Sequence, residues 1–198
     1  MVHIEGTYVF LGRTILMCYH IRIPLICKYL MCLQMRGDAQ MPHVELLLIG
    51  IGSCIVFDVW QRIFQTFTSI PPSNWTQVGR WFIGLISNGQ LIANQLSQQP
   101  EAKHETPTGW AVHYAVSIAY AYVLFFLIQL GIFEPNVSHG LVFGVVSVLV
   151  PWLFFMPAMG NGILANKTPN PRLACALALM MHSLFGISLG VGFSTFLA

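Results

Sequence analysis

The clearest pattern in this sequence is a series of apolar stretches separated by short polar segments. A helix needs about 20 mainly apolar residues to cross the hydrocarbon core of a bilayer. The chain has four stretches of this kind, at about 44–60, 110–133, 140–163 and 173–197. Trp60, Trp110 and Trp152 lie at or near the ends of these stretches, where interfacial aromatic residues are common. The pattern predicts an all-α fold, a four-helix transmembrane bundle.

A fifth helical pattern lies in the connection of nearly fifty residues between the first two stretches. After Pro71 and Pro72, apolar residues fall on one helical arc, and Gln77 and Arg80 fall on the other side. This predicts an amphipathic helix in the membrane interface, with Trp75, Arg80 and Trp81 as interfacial anchors and Arg80 extending to the headgroups. The alternative is a helix packed on the end of the bundle. The following segment, 97–109, is predicted to be a solvated linker.

Composition supports a membrane location. Hydrophobic residues make up 56% of the chain and charged residues only 8%, whereas soluble domains carry about 25% charged residues. So few charged residues could not cover the surface of a soluble protein. We therefore expect the lipid bilayer to be the main partner. The net charge of +2 and its scattered basic residues give no indication of nucleic-acid binding.

The distribution of basic residues predicts the orientation of the bundle. From Met41 onward, five basic residues lie in the first and third connections, and none lies in the second connection or at either end: Arg62, Arg80, Lys103, Lys167 and Arg172. Because basic loops stay in the cytoplasm, we expect the long connection and the amphipathic helix to be cytoplasmic. If the chain starts at Met41, both termini are then periplasmic.

The first forty residues do not fit this pattern. Their apolar run is interrupted by Arg13, Arg22, Pro24 and Lys28, and a basic residue at the centre of a span costs about 2.5–3.5 kcal/mol. One interpretation is that the natural start is Met41 and that 1–40 is a mis-called extension. The other is a peripheral amphipathic extension. In either case 41–198 is predicted to be a single integral membrane domain.

Three ionisable residues stand out within the predicted spans. Asp58 is on the first, His113 on the second and His182 on the fourth, at depths similar enough for them to meet. Ionisable residues inside a membrane are costly and are therefore functional candidates. A carboxylate beside imidazoles could relay protons or hold a cation. The alternative is a salt bridge between Asp58 and Arg62, with the histidines hydrogen-bonding across helices.

The third span is predicted to be broken near this polar cluster. The break is expected at four residues that interrupt or end a helix: Pro151, Pro157, Gly160 and Asn161. Met156 and Met159 could bind Cu(I) through their thioethers, but methionine more often serves as adaptable packing. The five cysteines show no metal-ligand spacing. The sequence therefore predicts no metal site and no cofactor.

Two patterns relate the spans to one another. Gly140 with Gly144, and Gly186 with Gly190, give small faces on the third and fourth spans that permit close helix contact. The first and third spans also align weakly, as GIGSCIV with GVVSVLV, and the second and fourth align from His113 and His182. These matches suggest a parallel two-plus-two repeat of the kind found in transporters, although so few identities are also expected by chance.

Several motifs give this chain a family resemblance from Met41 onward, over about four-fifths of its length. They are FDVW around Asp58, VGRW at 78–81, GW-x-x-HY at 109–114, MPAMGNGILANKTPNP at 156–171 and the HSLFGISLG run from His182. With these motifs the chain resembles a family of small bacterial membrane proteins known as domain of unknown function 2938. The resemblance implies a fold and a location in the bacterial inner membrane. It implies no reaction, because the family has no assigned activity.

Three classes of function remain. A small proton-coupled or cation-linked transporter would use Asp58, His113 and His182 in a cavity beside the broken span, and would be a homodimer because four spans make a thin pathway. A structural or accessory subunit, without catalysis, would need only the packing faces. A membrane enzyme is not predicted, because no nucleophile or metal triad with suitable spacing is present.

The five-to-zero distribution of basic residues can be tested with reporter fusions. A fusion at Gln98 should report a cytoplasmic location, and fusions at Asn136 and at the C-terminal end should report a periplasmic location. A periplasmic signal at Gln98 would contradict the orientation.

Overall fold

The computed structural model describes residues 9–11, 14–16, 41–93 and 96–197. The chain divides into two units, Met1–Asp38 and Ala39–Ala198. In the first, strands β1 (Val9–Leu11) and β2 (Thr14–Leu16) pair antiparallel, and the sequence did not predict this hairpin. The rest of this unit lies outside the described residues, as does the interpretation of 1–40 as a mis-called start.

The second unit is all-α, as predicted. Its described residues form five long helices, α1 (His43–Thr68), α2 (Trp75–Asn88), α3 (Glu105–Gln129), α4 (Val137–Ala158) and α5 (Pro171–Phe196), and two short 3-10 helices, Leu96–Gln98 and Ile163–Ala165. Of the five, all except α2 are long and apolar enough to cross a membrane. Large apolar side chains such as Phe126 and Leu153 are more than half exposed on them, as expected for surfaces that face lipid. The chain is therefore a multi-pass, membrane-embedded protein.

The bounds of the spans differ most from the predicted ones at three helix ends. Helix α1 continues beyond Trp60 to Thr68, because no helix breaker occurs before Pro71. Helix α3 begins at Glu105 rather than Trp110, since Pro107 falls in the first turn, where a helix needs no N–H donor. Helix α4 ends five residues before the predicted position, and Gly160 and Gly162 follow it with positive φ.

Asparagine side chains begin three of the helices. Asn74, Asn136 and Asn170 precede α2, α4 and α5, and each side-chain oxygen accepts a hydrogen bond from the backbone N–H three residues later. These bonds satisfy N–H groups that have no partner within the helix. The three asparagines therefore stabilise the first turns of α2, α4 and α5.

The predicted break in α4 takes the form of a π-helical turn. An α-helical segment, Val137–Ser147, is followed by the π segment Pro151–Phe155 and a last turn, Met156–Ala158. Pro151 cannot donate to the carbonyl of Ser147, and the N–H of Met156 donates to the carbonyl of Pro151, five residues back. The wider turn accommodates the missing donor without ending the helix.

Helices α4 and α5 pack through their glycines, as the sequence predicted. A Cβ added to Gly140 would lie 2.6 Å from the Cα of Gly190, and one added to Gly144 would lie 2.9 Å from the Cα of Gly186. The two backbones are therefore in direct contact. Such contact stabilises helix pairs in a membrane, where lipid removes the hydrophobic driving force between helices.

Helix α2 packs on α3, the alternative that the sequence left open. A Cβ on Gly79 would overlap the carbonyl of Glu105 and lie 2.6 Å from the N of Gly109. Trp81 is 4% exposed, and its indole N–H donates to the carbonyl of Leu91. The residues expected to be interfacial anchors therefore make contacts inside the protein.

Arg80 does not extend to the headgroups, so that prediction was wrong. Its Nε and Nη2 donate to the two carboxylate oxygens of Glu105 at 2.7 and 2.8 Å, and its Nη1 donates to the carbonyl of Gln99 at 2.8 Å. The hydrogen bond to Glu105 raises the pKa of the Arg80 guanidinium above its usual value. The paired carboxylate was missed because 97–109 was predicted to be a solvated linker, whereas this segment folds around Arg80.

The contact between Gly79 and Gly109 can be tested by adding one methyl group. Gly79→Ala should lower the free energy of unfolding in detergent by about 1–3 kcal/mol or more, because the methyl group would meet backbone atoms. Gly84→Ala on the same helix is the matched control, since the nearest atom to its added Cβ is 3.9 Å away. The control should be neutral or stabilising by about 0.5–1 kcal/mol. Equal effects of the two substitutions would contradict this packing.

Candidate functional site

A half-open cavity of about 430 Å³ lies between the helices. All five helices of the membrane unit contribute to its lining, which is mainly apolar and contains both predicted histidines, His113 and His182. Pro151, Met156 and Asn161 also line it, so the break in α4 adjoins the cavity as the sequence predicted. Cavities of this size, with few polar groups on apolar walls, are typical of small-ligand sites.

Asp58 and His113 are directly hydrogen-bonded between α1 and α3. The Nε2 atom of His113 lies 3.1 Å from Oδ1 of Asp58, and the hydroxyl of Tyr114 donates to Oδ2 at 3.3 Å. The side chains of His113 and Asp58 are only 11% and 16% exposed. Asp58 therefore has polar partners within the bundle, rather than the salt bridge to Arg62 that was the alternative.

Cys54 joins Asp58 and His113 in a cluster of three side chains, called here the polar group. The sequence did not identify Cys54 as a member. Its Sγ lies 3.2 Å from the same Nε2 atom of His113, and the residue is fully buried. Ligand atoms of Cys54, Asp58 and His113 all lie within 4.8 Å of one another. The spacing among the cysteines gave no signal, but Cys54 precedes Asp58 by four residues. That spacing places the two side chains on the same face of α1.

Aromatic side chains fix the position of the His113 ring. Trp75, the first residue of α2, stacks on it with ring centroids 3.7 Å apart and planes inclined by 17°. Phe57 and Trp110 contact the ring at centroid distances of 5.5 and 5.9 Å. Trp75 therefore connects α2 to the polar group, a role different from the interfacial anchor predicted for it.

His182 has a different partner. Its Nδ1 lies 2.8 Å from Oγ of Ser147, and that hydroxyl donates to the carbonyl of Gly144 at 2.7 Å. Because the hydroxyl proton is used in this way, the hydrogen-bond network assigns the imidazole proton to Nδ1 of His182. His182 thus lines the same cavity as His113 and is hydrogen-bonded to Ser147 rather than to Asp58.

Methionine sulfur is also present at the cavity. Met156 and Met159, the candidates for a copper site, line it together with Met181. Among the histidine, cysteine and acidic side chains of the described part of the chain, Cys54, Asp58 and His113 form the one group of three close enough to hold a metal ion. The structure therefore places the metal-ligand candidates on α1 and α3.

The two halves of the bundle show a matching arrangement, in line with the faint sequence repeat. In the first, Ser117, four residues after His113, donates its hydroxyl to the carbonyl of Gly50 at 2.7 Å. In the second, Gly186, four residues after His182, packs on Gly144. His113 also contacts Cys54, four positions after Gly50, and His182 contacts Ser147, three positions after Gly144. Helix contacts in the two pairs therefore follow a similar register, with the histidine contacts offset by one residue.

These features define a four-span membrane protein with a polar group and a cavity between the helices of the bundle. The chain belongs to the family described as Protein of unknown function (DUF2938), whose model matches residues 47–195. The matched region contains every residue of the polar group and both helix pairs except the first residues of α1 and the last residue of α5. Comparisons with curated proteins and with solved structures found no match.

Removing the carboxylate of Asp58 should destabilise the bundle. Asp58→Ala would leave Nε2 of His113 and the hydroxyl of Tyr114 without their acceptor, at a cost of about 1–3 kcal/mol. Glu45→Ala, near the other end of α1, is the control and should have a smaller effect on the thermal midpoint in detergent. A midpoint that is no lower for Asp58→Ala than for the control would show that these hydrogen bonds are unimportant for stability.

Proposed function

We propose that this protein is a small membrane carrier for a cation, either a proton or a metal ion. The cation binds at Asp58 and His113 and passes through the adjoining cavity. The observation that carries the proposal is the hydrogen-bonded carboxylate–imidazole pair between two spans, with His113 lining a cavity of about 430 Å³. A charged group inside a membrane is costly and is typically found on ion pathways. The pair combines a negative charge with a group that can accept a proton or a metal.

The arrangement of the two halves supports a carrier. Each half contributes one histidine to the cavity, His113 from the α1–α3 pair and His182 from the α4–α5 pair. In many transporters the substrate site lies between structural repeats, and movement of one repeat against the other opens it to alternate sides. The π turn of α4 supports the same function, because irregular backbone at membrane depth is tolerated where it lines a cavity.

The location and assembly that go with this function are also proposals. The distribution of basic residues and the family resemblance support the bacterial inner membrane, with the α1–α3 connection in the cytoplasm. The four spans of one protomer make a thin wall for a pathway, and a homodimer would double the number of spans. The alternative, a non-catalytic structural or accessory subunit, draws its support from the glycine-mediated packing, which needs no site.

The carrier function can be tested in proteoliposomes with two probes. Vesicles containing a pH-sensitive dye would detect proton movement, and vesicles containing a metal-sensitive dye would detect Zn²⁺ entry. We expect protein-dependent flux of one of these cations, and a loss of at least about tenfold in His113→Ala, because ion pathways depend on such intramembrane groups.

A matched pair of substitutions on α5 separates cavity blockage from general damage. Ala178 lines the cavity, whereas Ala176 on the same helix is exposed on the outer surface. Ala178→Phe should reduce flux strongly because the ring would protrude into the cavity and narrow it, and Ala176→Phe should retain it. If the unmodified protein carries neither cation, the carrier proposal is wrong and the accessory subunit becomes the better explanation.

A further inference from the structure

The imidazole of His113 presents one nitrogen atom to two possible ligand atoms. Nε2 lies 3.1 Å from the carboxylate oxygen of Asp58 and 3.2 Å from the sulfur of Cys54. A single proton on Nε2 can form only one strong hydrogen bond, so it cannot serve both neighbours equally. A cation in the same place would be contacted by all three atoms at once.

The three atoms match the ligand set of a tetrahedral metal site, and two of their three separations are close to its spacing. Zinc binds thiolate sulfur at about 2.3 Å and imidazole nitrogen or carboxylate oxygen at about 2.0–2.2 Å. Tetrahedral ligands at these distances are themselves between about 3.3 and 3.8 Å apart. The separations of 3.1 and 3.2 Å between Nε2 and its two neighbours are close to this range. The sulfur of Cys54 lies within 4.8 Å of a carboxylate oxygen of Asp58, so this third separation would shorten by up to about 1 Å when a metal binds.

We propose that Cys54, Asp58 and His113 bind a divalent transition-metal cation of the zinc class, with the fourth ligand supplied from the cavity. This names the cation of the carrier, and in that respect it rests on the proposed function. Cys54 and His113 both border the cavity. Cys54 is fully buried and the His113 side chain is 11% exposed, so water or another small ligand would approach the metal from the His113 side. Three protein ligands and one exchangeable ligand are typical of zinc sites that are not purely structural.

Charge balance favours a divalent ion over a monovalent one. On binding, the Cys54 thiol gives up its proton to solvent, and the imidazole proton moves from Nε2 to Nδ1, which keeps His113 neutral. A thiolate, a carboxylate and a neutral imidazole then carry two negative charges, and a divalent cation brings the net charge to zero. Neutrality matters here because an uncompensated charge inside a membrane is strongly unfavourable.

Ligand chemistry narrows the choice of metal. Mg²⁺ and Ca²⁺ prefer sets of oxygen ligands, and Cu(I) prefers sulfur. One sulfur, one nitrogen and one oxygen atom suit a borderline ion such as Zn²⁺ or Co²⁺. Tyr114 adds a feature common at metal sites, since its hydroxyl bonds the second oxygen of Asp58 and so orients the carboxylate.

Cobalt binding to the purified full-length protein provides a direct test. The other four cysteines, Cys18, Cys27, Cys32 and Cys175, should first be replaced by serine, and a purification tag without histidine should be used. Titration with Co²⁺ should give visible bands typical of tetrahedral cobalt and a near-ultraviolet thiolate-to-metal band. Zn²⁺ should displace the cobalt at one ion per chain, and an excess of Mg²⁺ should not.

Single substitutions assign the ligands. Cys54→Ser, almost unchanged in size, should abolish the thiolate-to-metal band. Asp58→Asn and His113→Gln should weaken binding by more than about 100-fold, beyond the range of outer-shell partners. Tyr114→Phe, which removes one hydrogen bond to the carboxylate, should weaken it by about 10-fold. His182→Gln is the matched control at the other histidine of the cavity and should bind cobalt normally.

The outcomes separate this proposal from the proposed function. No cobalt binding by the folded protein, or a thiolate band that persists in Cys54→Ser, would overturn the metal site. Proton flux without metal binding would leave the carrier function intact. Metal binding that follows the expected ligand pattern, with no flux of either cation, would support the site and reject the carrier.

Discussion

The interior of the bundle is organised by the lack of water within a bilayer. A polar group at membrane depth must find its partner in the protein, since lipid offers none. Ser117 meets this requirement through the carbonyl of Gly50, and His182 meets it through Ser147. Asp58 has two donors, His113 and Tyr114. These hydrogen bonds join α1 to α3 and α4 to α5. The bonds that give the polar groups their partners therefore also help to hold the helices together.

Features of the fold that depend on local composition were predicted from the sequence. The four spans follow from apolar length, and the contact between α4 and α5 follows from glycines four residues apart. The break in α4 was expected at Pro151 because a missing N–H has the same effect in any helix. The positions of the helix ends were predicted less accurately. Helix α1 continues through polar residues to Thr68, because such residues are tolerated once the chain leaves the hydrocarbon core.

Features that depend on contacts distant in sequence were not predicted. Cys54 on an apolar helix looks like a packing residue, and only the approach of His113 from another helix makes it a possible ligand. Arg80 was expected to reach the headgroups because its partner, Glu105, lies 25 residues further along the chain, in a segment that looked like a linker. In both cases the pattern assigned the residue to the correct helix. What the sequence could not supply was the identity of the residue facing it from another helix.

The site and the packing also explain one another. Gly79 and Gly109 allow α2 to lie directly on α3, and this close contact brings Trp75 over the ring of His113. A bulkier residue at either glycine would separate the helices and move the indole away from the imidazole. The polar group therefore depends on residues that carry no chemistry themselves.

The stacking of Trp75 on His113 has a consequence for the energetics of ligand capture. An imidazole free to rotate must lose that freedom when its nitrogen binds an ion, and the loss reduces affinity. Here the indole lies 3.7 Å from the ring and nearly parallel to it, so the orientation is already set before any ion arrives. For the proposed binding of an ion at Nε2, the imidazole would thus lose its rotational freedom during folding rather than during binding, and the stacking with Trp75 would offset that loss.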